Sequence, residues 1–166
     1  MVIFNIAYTA PINPAGAAPV LSQPQVWAGL ERKVRRAQEF VPVIKSCDVV
    51  SEKQTAKGLV VVRDVQFTFA GPKGGDVTPI REVCTHFAPC RIDFEQENGS
   101  FVSNIVSKGP DGELLMTYSF VWIDESLQEG SPEVEKVENE HWQRAKMAVE
   151  GSINTIRRLV KDSVLQ

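Results

Sequence analysis

The sequence predicts an α+β fold in which a curved, seven-stranded antiparallel sheet wraps around a long C-terminal helix and leaves a ligand cavity between the two. Three observations predict it. Residues 43 to 124 hold six short runs of alternating apolar and polar residues, joined by connections too short to cross a sheet, which forces antiparallel neighbours. A seventh such run opens the chain at Val2 to Tyr8. The chain closes on one apolar stripe at spacings of three to four residues: Val134, Val137, His141, Trp142, Ala145, Val149, Ile153, Ile156, Val160 and Val164. The sheet's apolar face needs a partner, and a large curved sheet does not close fully on one helix, so an oily gap with a few polar groups is expected. At 166 residues the chain is long enough to bury one real core, giving a single domain over 1–166.

The opening strand is expected to stop before Pro11, Pro14, Gly16 and Pro19. Leu21-Ser22-Gln23-Pro24-Gln25-Val26 then reads as a helix start, with Ser22 as cap, Gln25 as its capping-box partner and Leu21 stapled onto Val26. Trp27, Leu30, Val34 and Ala37 keep helical spacing until Pro42 ends the segment. The six runs span 43–53, 58–69, 78–88, 90–97, 100–107 and 113–124. Their breaks are Lys57-Gly58, Gly71-Pro72-Lys73-Gly74-Gly75, Ala88-Pro89, Asn98-Gly99 and Gly109-Pro110-Asp111-Gly112, with Asn98-Gly99 expected as a type I′ hairpin. Ser131-Pro132-Glu133 opens the last helix with a cap and a first-turn proline, and acids early and bases late suit its dipole as far as about Val164. Gly151 inside it is expected to mark a close approach or a slight bend.

A net charge of -3 gives no field that attracts nucleic acid or an anionic membrane. The basic runs Arg32, Lys33, Arg35, Arg36 and Arg157, Arg158, Lys161 read as solvated helix faces. No apolar run approaches the length of a membrane span and no signal segment opens the chain, so a cytoplasmic protein is expected. Cys47, Cys84 and Cys90 are an odd, sparse set that fits free thiols. Cys84-x-His86-x3-Cys90 lacks a fourth ligand at a usual spacing, so no metal is expected. The Gly-Pro-Lys-Gly-Gly loop lacks the Gly-Lys-Ser/Thr ending of a phosphate cradle, and no cofactor motif appears.

Chemistry is sought on the inward faces. Leu59, Val61, Arg63, Val65, Phe67 and Phe69 share one face of their strand, so Arg63 is a cation in an apolar wall. It needs a carboxylate, carbonyls or an anionic ligand, and it serves a substrate, forms a structural ion pair, or packs its stem while its head reaches solvent. Pairing with the next strand puts Arg63 roughly opposite His86, with Glu82 and Cys84 on the same face as His86. Beside a guanidinium, His86 would stay neutral and suit a general base. Leu114, Met116, Tyr118, Phe120 and Trp122 form the most apolar stripe, into which Tyr118 carries a hydroxyl that is either a satisfied core group or a donor to a ligand carbonyl. Ser103 and Asn104 are further polar candidates, whereas Asp93 and Glu95 are expected to face water. The substrate wall is expected from Trp27, Val61, Val65, Phe67, Cys84, Ser103, Met116 and Phe120.

The β-α-β6-α order resembles the helix-grip fold of the START and Bet v 1-like (SRPBCC) superfamily. More narrowly, Val26-Trp27-Ala28-Gly29-Leu30-Glu31-Arg32-Lys33 followed by Phe40-Val41-Pro42-Val43-Ile44, Cys47 and Val49-Val50 is similar to a small fungal and bacterial branch. Its fungal members include proteins that accompany polyketide synthases, among them the pyrone-forming cyclases of aurovertin-type pathways. The resemblance implies a cofactor-free polyketide cyclase that closes a linear poly-β-keto acid or thioester to an α-pyrone. His86 would take the enol proton, Arg63 would hold a carboxylate or oxyanion, and Tyr118 would donate to a carbonyl. The implied partners are a hydrophobic polyketide and a polyketide synthase, with a homodimer as one oligomeric option. The alternative is a noncatalytic carrier of a hydrophobic metabolite or lipid, for which the same wall would serve.

Overall fold

The computed structural model describes residues 1–68 and 78–166; Phe69 and the Gly-rich connection at 71–75 lie outside the described residues. The elements run β1 (Val2–Pro11), α1 (Gln23–Arg35), a 3-10 turn (Ala37–Glu39), β2 (Ile44–Thr55), β3 (Gly58–Phe67), β4 (Ile80–Phe87), β5 (Arg91–Gln96), β6 (Phe101–Lys108), β7 (Leu114–Asp124) and α2 (Pro132–Lys161). The seven strands form one sheet in the order β1-β7-β6-β5-β4-β3-β2, antiparallel throughout. Helix α2 packs on β1 and β7, while α1 lies against β2, β3 and β6 and touches α2.

Local chemistry accounts for most boundaries. The capping box at the start of α1 is formed in both directions, with Gln25 N donating to Ser22 Oγ and Ser22 N donating to Gln25 Oε1. Strand β1 continues through Pro11, which pairs with Leu115, because β1 is an edge strand and an edge tolerates a residue without an N–H. Helix α1 ends at Arg35, earlier than Pro42 requires. The carbonyls of Lys33 and Val34, which lie in the last turn, accept from the Arg63 side chain of β3 instead of from a further turn of helix.

At the β5–β6 hairpin only Gly99 takes a positive φ, 85°, whereas a type I′ turn needs it at both central residues. Asn98 turns its side chain to accept from Ser100 N, and Gln96 O accepts from Gly99 N, so a wider turn replaces the expected one. Ser131 makes no side-chain cap, and Pro132 alone opens α2. The close approach expected at Gly151 falls elsewhere. A Cβ on Gly151 would meet nothing within 4 Å, whereas one on Gly29 of α1 would lie 2.4 Å from Ile156 Cγ1 of α2. Gly29 is therefore where the two helices touch.

The register stacks inward residues into three rows across the sheet. The first runs Tyr8, Tyr118, Asn104, Ile92, His86. The second is the apolar row Ile6, Phe120, Val102, Phe94, Cys84, Val61. The third carries Phe4 and Trp122 at one end and Gln96, Glu82 and Arg63 at the other. Val26, Gly29, Leu30, Lys33 and Val34 of α1 are buried over these rows.

Candidate active site

Arg63 is buried and its guanidinium is heavily engaged. Nε and Nη2 donate to Glu82 Oε2 at 2.9 and 2.6 Å, and Nη1 donates to the carbonyls of Lys33 and Val34, each at 2.9 Å. Gln96 donates to the other Glu82 oxygen at 2.8 Å. Burial is the largest single influence and works against the Arg63 charge, but Glu82, Cys84 and Cys47 together outweigh it and raise the group above the ordinary arginine value. Of the readings open for Arg63, the ion pair is the one formed here, and its head does not reach solvent. Its cross-strand partner is Glu82 and not His86, because β3 and β4 pair four residues out of the register the sequence suggested.

Lys33, read from sequence as part of a solvated face, is only 8% exposed. It falls seven residues after Val26 and three after Leu30, on the buried stripe of α1, and that spacing was the available signal. Its Nζ donates to Tyr118 Oη at 3.2 Å and lies 4.3 Å from the centre of the Tyr118 ring and 5.9 Å from that of Phe94. Arg63 stands over the same Phe94 ring at 5.0 Å. Two cations thus share one buried carboxylate, and Arg63 has it. A guanidinium cannot give up its proton and an ammonium can. Burial first, and the like charge of Arg63 second, push Lys33 down to about 7.

Tyr118 is buried in the wall, and burial drives its hydroxyl above the ordinary phenol range, so it stays a proton donor. Its neighbour on β6, Asn104, is wholly buried, and neither its amide nitrogen nor its amide oxygen has a partner among the described residues. At the other end of the row His86 Nδ1 meets Leu59 O at 3.1 Å. A carbonyl only accepts, so that contact assigns the proton to Nδ1 and leaves Nε2 a lone pair. Nε2 is buried without a partner among the described residues. Desolvation is the main cause that holds His86 below the usual histidine range; the expected guanidinium neighbour is not the reason. Trp27 meets the imidazole edge to face, with centroids 6.3 Å apart. Burial pushes the Cys84 thiol up to about 12, so it is no thiolate at neutral pH.

The remaining expected wall residues divide. Val61, Cys84, Met116 and Phe120 sit in the main core with Tyr118, and Trp27 packs against it. Val65 and Phe67 belong instead to a small separate cluster with Ala37 and Ile44 under the 3-10 turn. Ser103 lies on the opposite face of the sheet, where its hydroxyl donates to Asp93 at 2.6 Å, because strand alternation gives the inward place to Asn104. Cys90 is exposed, away from buried Cys84 and His86. No helix among the described residues is long and apolar enough to cross a membrane.

The interior is closed around the tyrosine. Cys84, Asn104 and Met116 are 0% exposed and Tyr118 1%, so no water-sized space adjoins them in this structure. Two clefts open on the surface instead, one of about 620 Å³ along the first turns of α2 and one of about 450 Å³ between the Pro14–Ala17 loop and α2.

A seven-stranded antiparallel sheet gripping a C-terminal helix, with a second helix laid over a row of inward polar groups, is a helix-grip fold. The chain belongs to the acetylaranotin biosynthesis cluster protein L family, whose profile matches residues 6–163. It is 24% identical over 159 residues to the Acetylaranotin biosynthesis cluster protein L of Aspergillus terreus (strain NIH 2624 / FGSC A1156), covering 93% of this chain and 88% of that one. Among solved structures, the Zhui aromatase/cyclase of Streptomyces sp. R1128 superposes with a TM-score of 0.66 at 12% identity, over 96% of each chain. The di-domain aromatase/cyclase StfQ of the steffimycin biosynthetic pathway superposes with a TM-score of 0.62 at 15% identity, over 98% of this chain and 52% of StfQ.

Proposed function

We propose that this protein is a cofactor-free polyketide cyclase that closes a linear poly-β-keto acid or thioester to an α-pyrone. The observation that carries the reading is the polar row beneath α1, Tyr118, Asn104 and His86, bordered by the apolar row of Ile6, Phe120, Val102, Phe94, Cys84 and Val61. Leaving a buried donor or acceptor unpaired costs about 1–3 kcal/mol each; His86 Nε2 and both amide atoms of Asn104 are unpaired among the described residues, and a bound ligand would satisfy them. The row spans three strand spacings, about 14 Å, which suits a chain of several carbonyls better than a single one. Family membership and the two aromatase/cyclase neighbours support the same class of chemistry.

In the proposed reaction His86 Nε2 takes the enol proton at one end of the bound chain. The enol oxygen bonds to the terminal carbonyl carbon, the bond to the thiol or hydroxyl breaks, and the imidazolium returns its proton to the leaving group. Tyr118 and Asn104 hold carbonyls further along, and the alignment itself supplies most of the acceleration, up to ~7–11 kcal/mol for a well-oriented intramolecular reaction. Arg63 acts as a positioning residue, fixing Glu82 and the end of α1. Admission of substrate requires α1 to lift from the sheet, since the wall around Tyr118 is closed.

The test is incubation of the protein with a synthetic triketide acid or thioester. Ring closure is expected to accelerate, to fall about 10²–10⁴-fold in His86→Ala, the usual worth of a general base, and to fall less in Tyr118→Phe. Binding without faster closure would leave the carrier reading standing in its place.

A further inference from the structure

We propose that Lys33 is an imine-forming amine: it condenses with a keto group of a 1,3-dicarbonyl compound held by the Asn104 amide. The inference deepens the reading above, since it rests on a keto compound reaching the row beneath α1, and it adds a covalent step which that reading does not use.

Three features of the structure lead to it. First, the surroundings of Lys33 disfavour an ammonium. It is buried, the like charge of Arg63 is close by, Arg63 also holds the one nearby carboxylate among the described residues, and the Lys33 hydrogen bond runs to a neutral hydroxyl; against these only the π faces of Tyr118 and Phe94 favour the charge. A lysine in such a place is a free amine for much of the time near neutral pH, and a desolvated free amine is the nucleophile that forms Schiff bases with ketones. Second, the adjacent Tyr118 hydroxyl accepts from Lys33 Nζ at 3.2 Å and also meets Ser152, and its own proton, held firmly by burial, is within reach to be passed to a carbonyl oxygen as the amine attacks. Third, Asn104, one strand over from Tyr118, offers one unpaired N–H donor group and one unpaired acceptor oxygen. A 1,3-dicarbonyl in its enol form presents the matching pair, one hydroxyl and one carbonyl.

The step balances without an oxidant or reductant. The Lys33 nitrogen bonds to the carbonyl carbon while the C–O π pair moves to oxygen. That oxygen takes a proton from Tyr118, which regains one from the nitrogen. The carbinolamine hydroxyl takes a proton from Tyr118 and leaves as water, giving an iminium beside the phenolate, which takes back the proton given up in the next step. With a 1,3-diketone the iminium then loses the proton of the carbon between the two carbonyls, leaving a neutral, conjugated enaminone. Lysine and diketone are thus converted to enaminone and one water.

The probe is 2,4-pentanedione, added to the whole folded protein and followed by intact mass, peptide mapping and the new ultraviolet absorbance of the enaminone. One adduct is expected, heavier by the diketone less one water and mapping to Lys33. Its formation rate should rise with pH to a plateau above about 7, the value to which burial and the like charge of Arg63 bring Lys33; Arg63, Glu82, Cys84 and Tyr118 are the charged and titratable groups facing it, and burial holds Cys84 and Tyr118 above that range. Lys33→Met, checked for folding by circular dichroism, should abolish the adduct, and Asn104→Leu should slow its formation at least tenfold with Lys33 intact. Modification of surface lysines alone, a rate that keeps climbing towards pH 10, or an adduct that survives Lys33→Met would overturn the proposal. The assay needs no ring closure. An adduct without cyclisation therefore sinks the cyclase reading alone, and cyclisation without an adduct sinks this one alone.

Discussion

Arg63 and Glu82 show why a buried ion pair is informative about position and less so about stability. Removing one partner strands the other charge in the wall, so Arg63→Ala or Glu82→Ala should each cost about 3–5 kcal/mol, read from urea midpoints at unchanged m-value. Replacing both with methionine should recover most of that loss, since the apolar pair carries no desolvation penalty. Lys33 gives the opposite case. Its proton affinity is lower folded, about 7, than unfolded, 10.5, so between those values the unfolded chain binds more protons and stability rises with pH. From pH 7 to pH 9 the rise should be about 2 kcal/mol, at 1.36 kcal/mol per unit of pKa shift. Lys33→Met should be the more stable protein at pH 7 and should lose that slope.

Among the elements, the two helices meet at one unoccupied Cβ position. Gly29→Ala drives a methyl into Ile156 and should cost about 1–3 kcal/mol despite alanine's better helix propensity. Gly151→Ala meets nothing within 4 Å and should gain about 0.5–1 kcal/mol. Thermal denaturation of the two variants reads both signs. The sequence makes Gly151 conspicuous because it interrupts a long stripe, and hides Gly29 because one glycine among polar residues of a short helix disturbs no pattern. The strands and α2 were legible from alternation and spacing, and the inward faces of β3, β4 and β7 fell where alternation put them. The β3–β4 register was not legible, since alternation fixes which face a residue takes and not which residue lies opposite; a four-residue slip preserves every face while exchanging His86 for Glu82 as the neighbour of Arg63. Lys33 was missed, and of the two polar candidates on β6 Ser103 was given the wall place that Asn104 holds, for a related reason: a polar side chain shows no direction until something shows which way its element is turned.

For the molecule as a whole, the chain has two histidines, and both are buried and held below the ordinary histidine range, chiefly by desolvation. Unfolding frees each to take a proton below about 6.5, so the unfolded state binds more protons there and stability falls as pH is lowered through that range. Urea titrations at pH 7 and pH 5.5 should show the loss, and replacing both histidines with glutamine should flatten it. Each imidazole also has an indole beside it: Trp27 stands edge to face with His86, and Trp122 stacks on His141 with centroids 4.2 Å apart and planes 21° apart. Because an imidazolium quenches a neighbouring indole's emission, the protein carries its own optical indicators. The light from Trp122 should dim as His141 gains its proton, and the light from Trp27 should change when a guest reaches the far end of the row, before any label is attached.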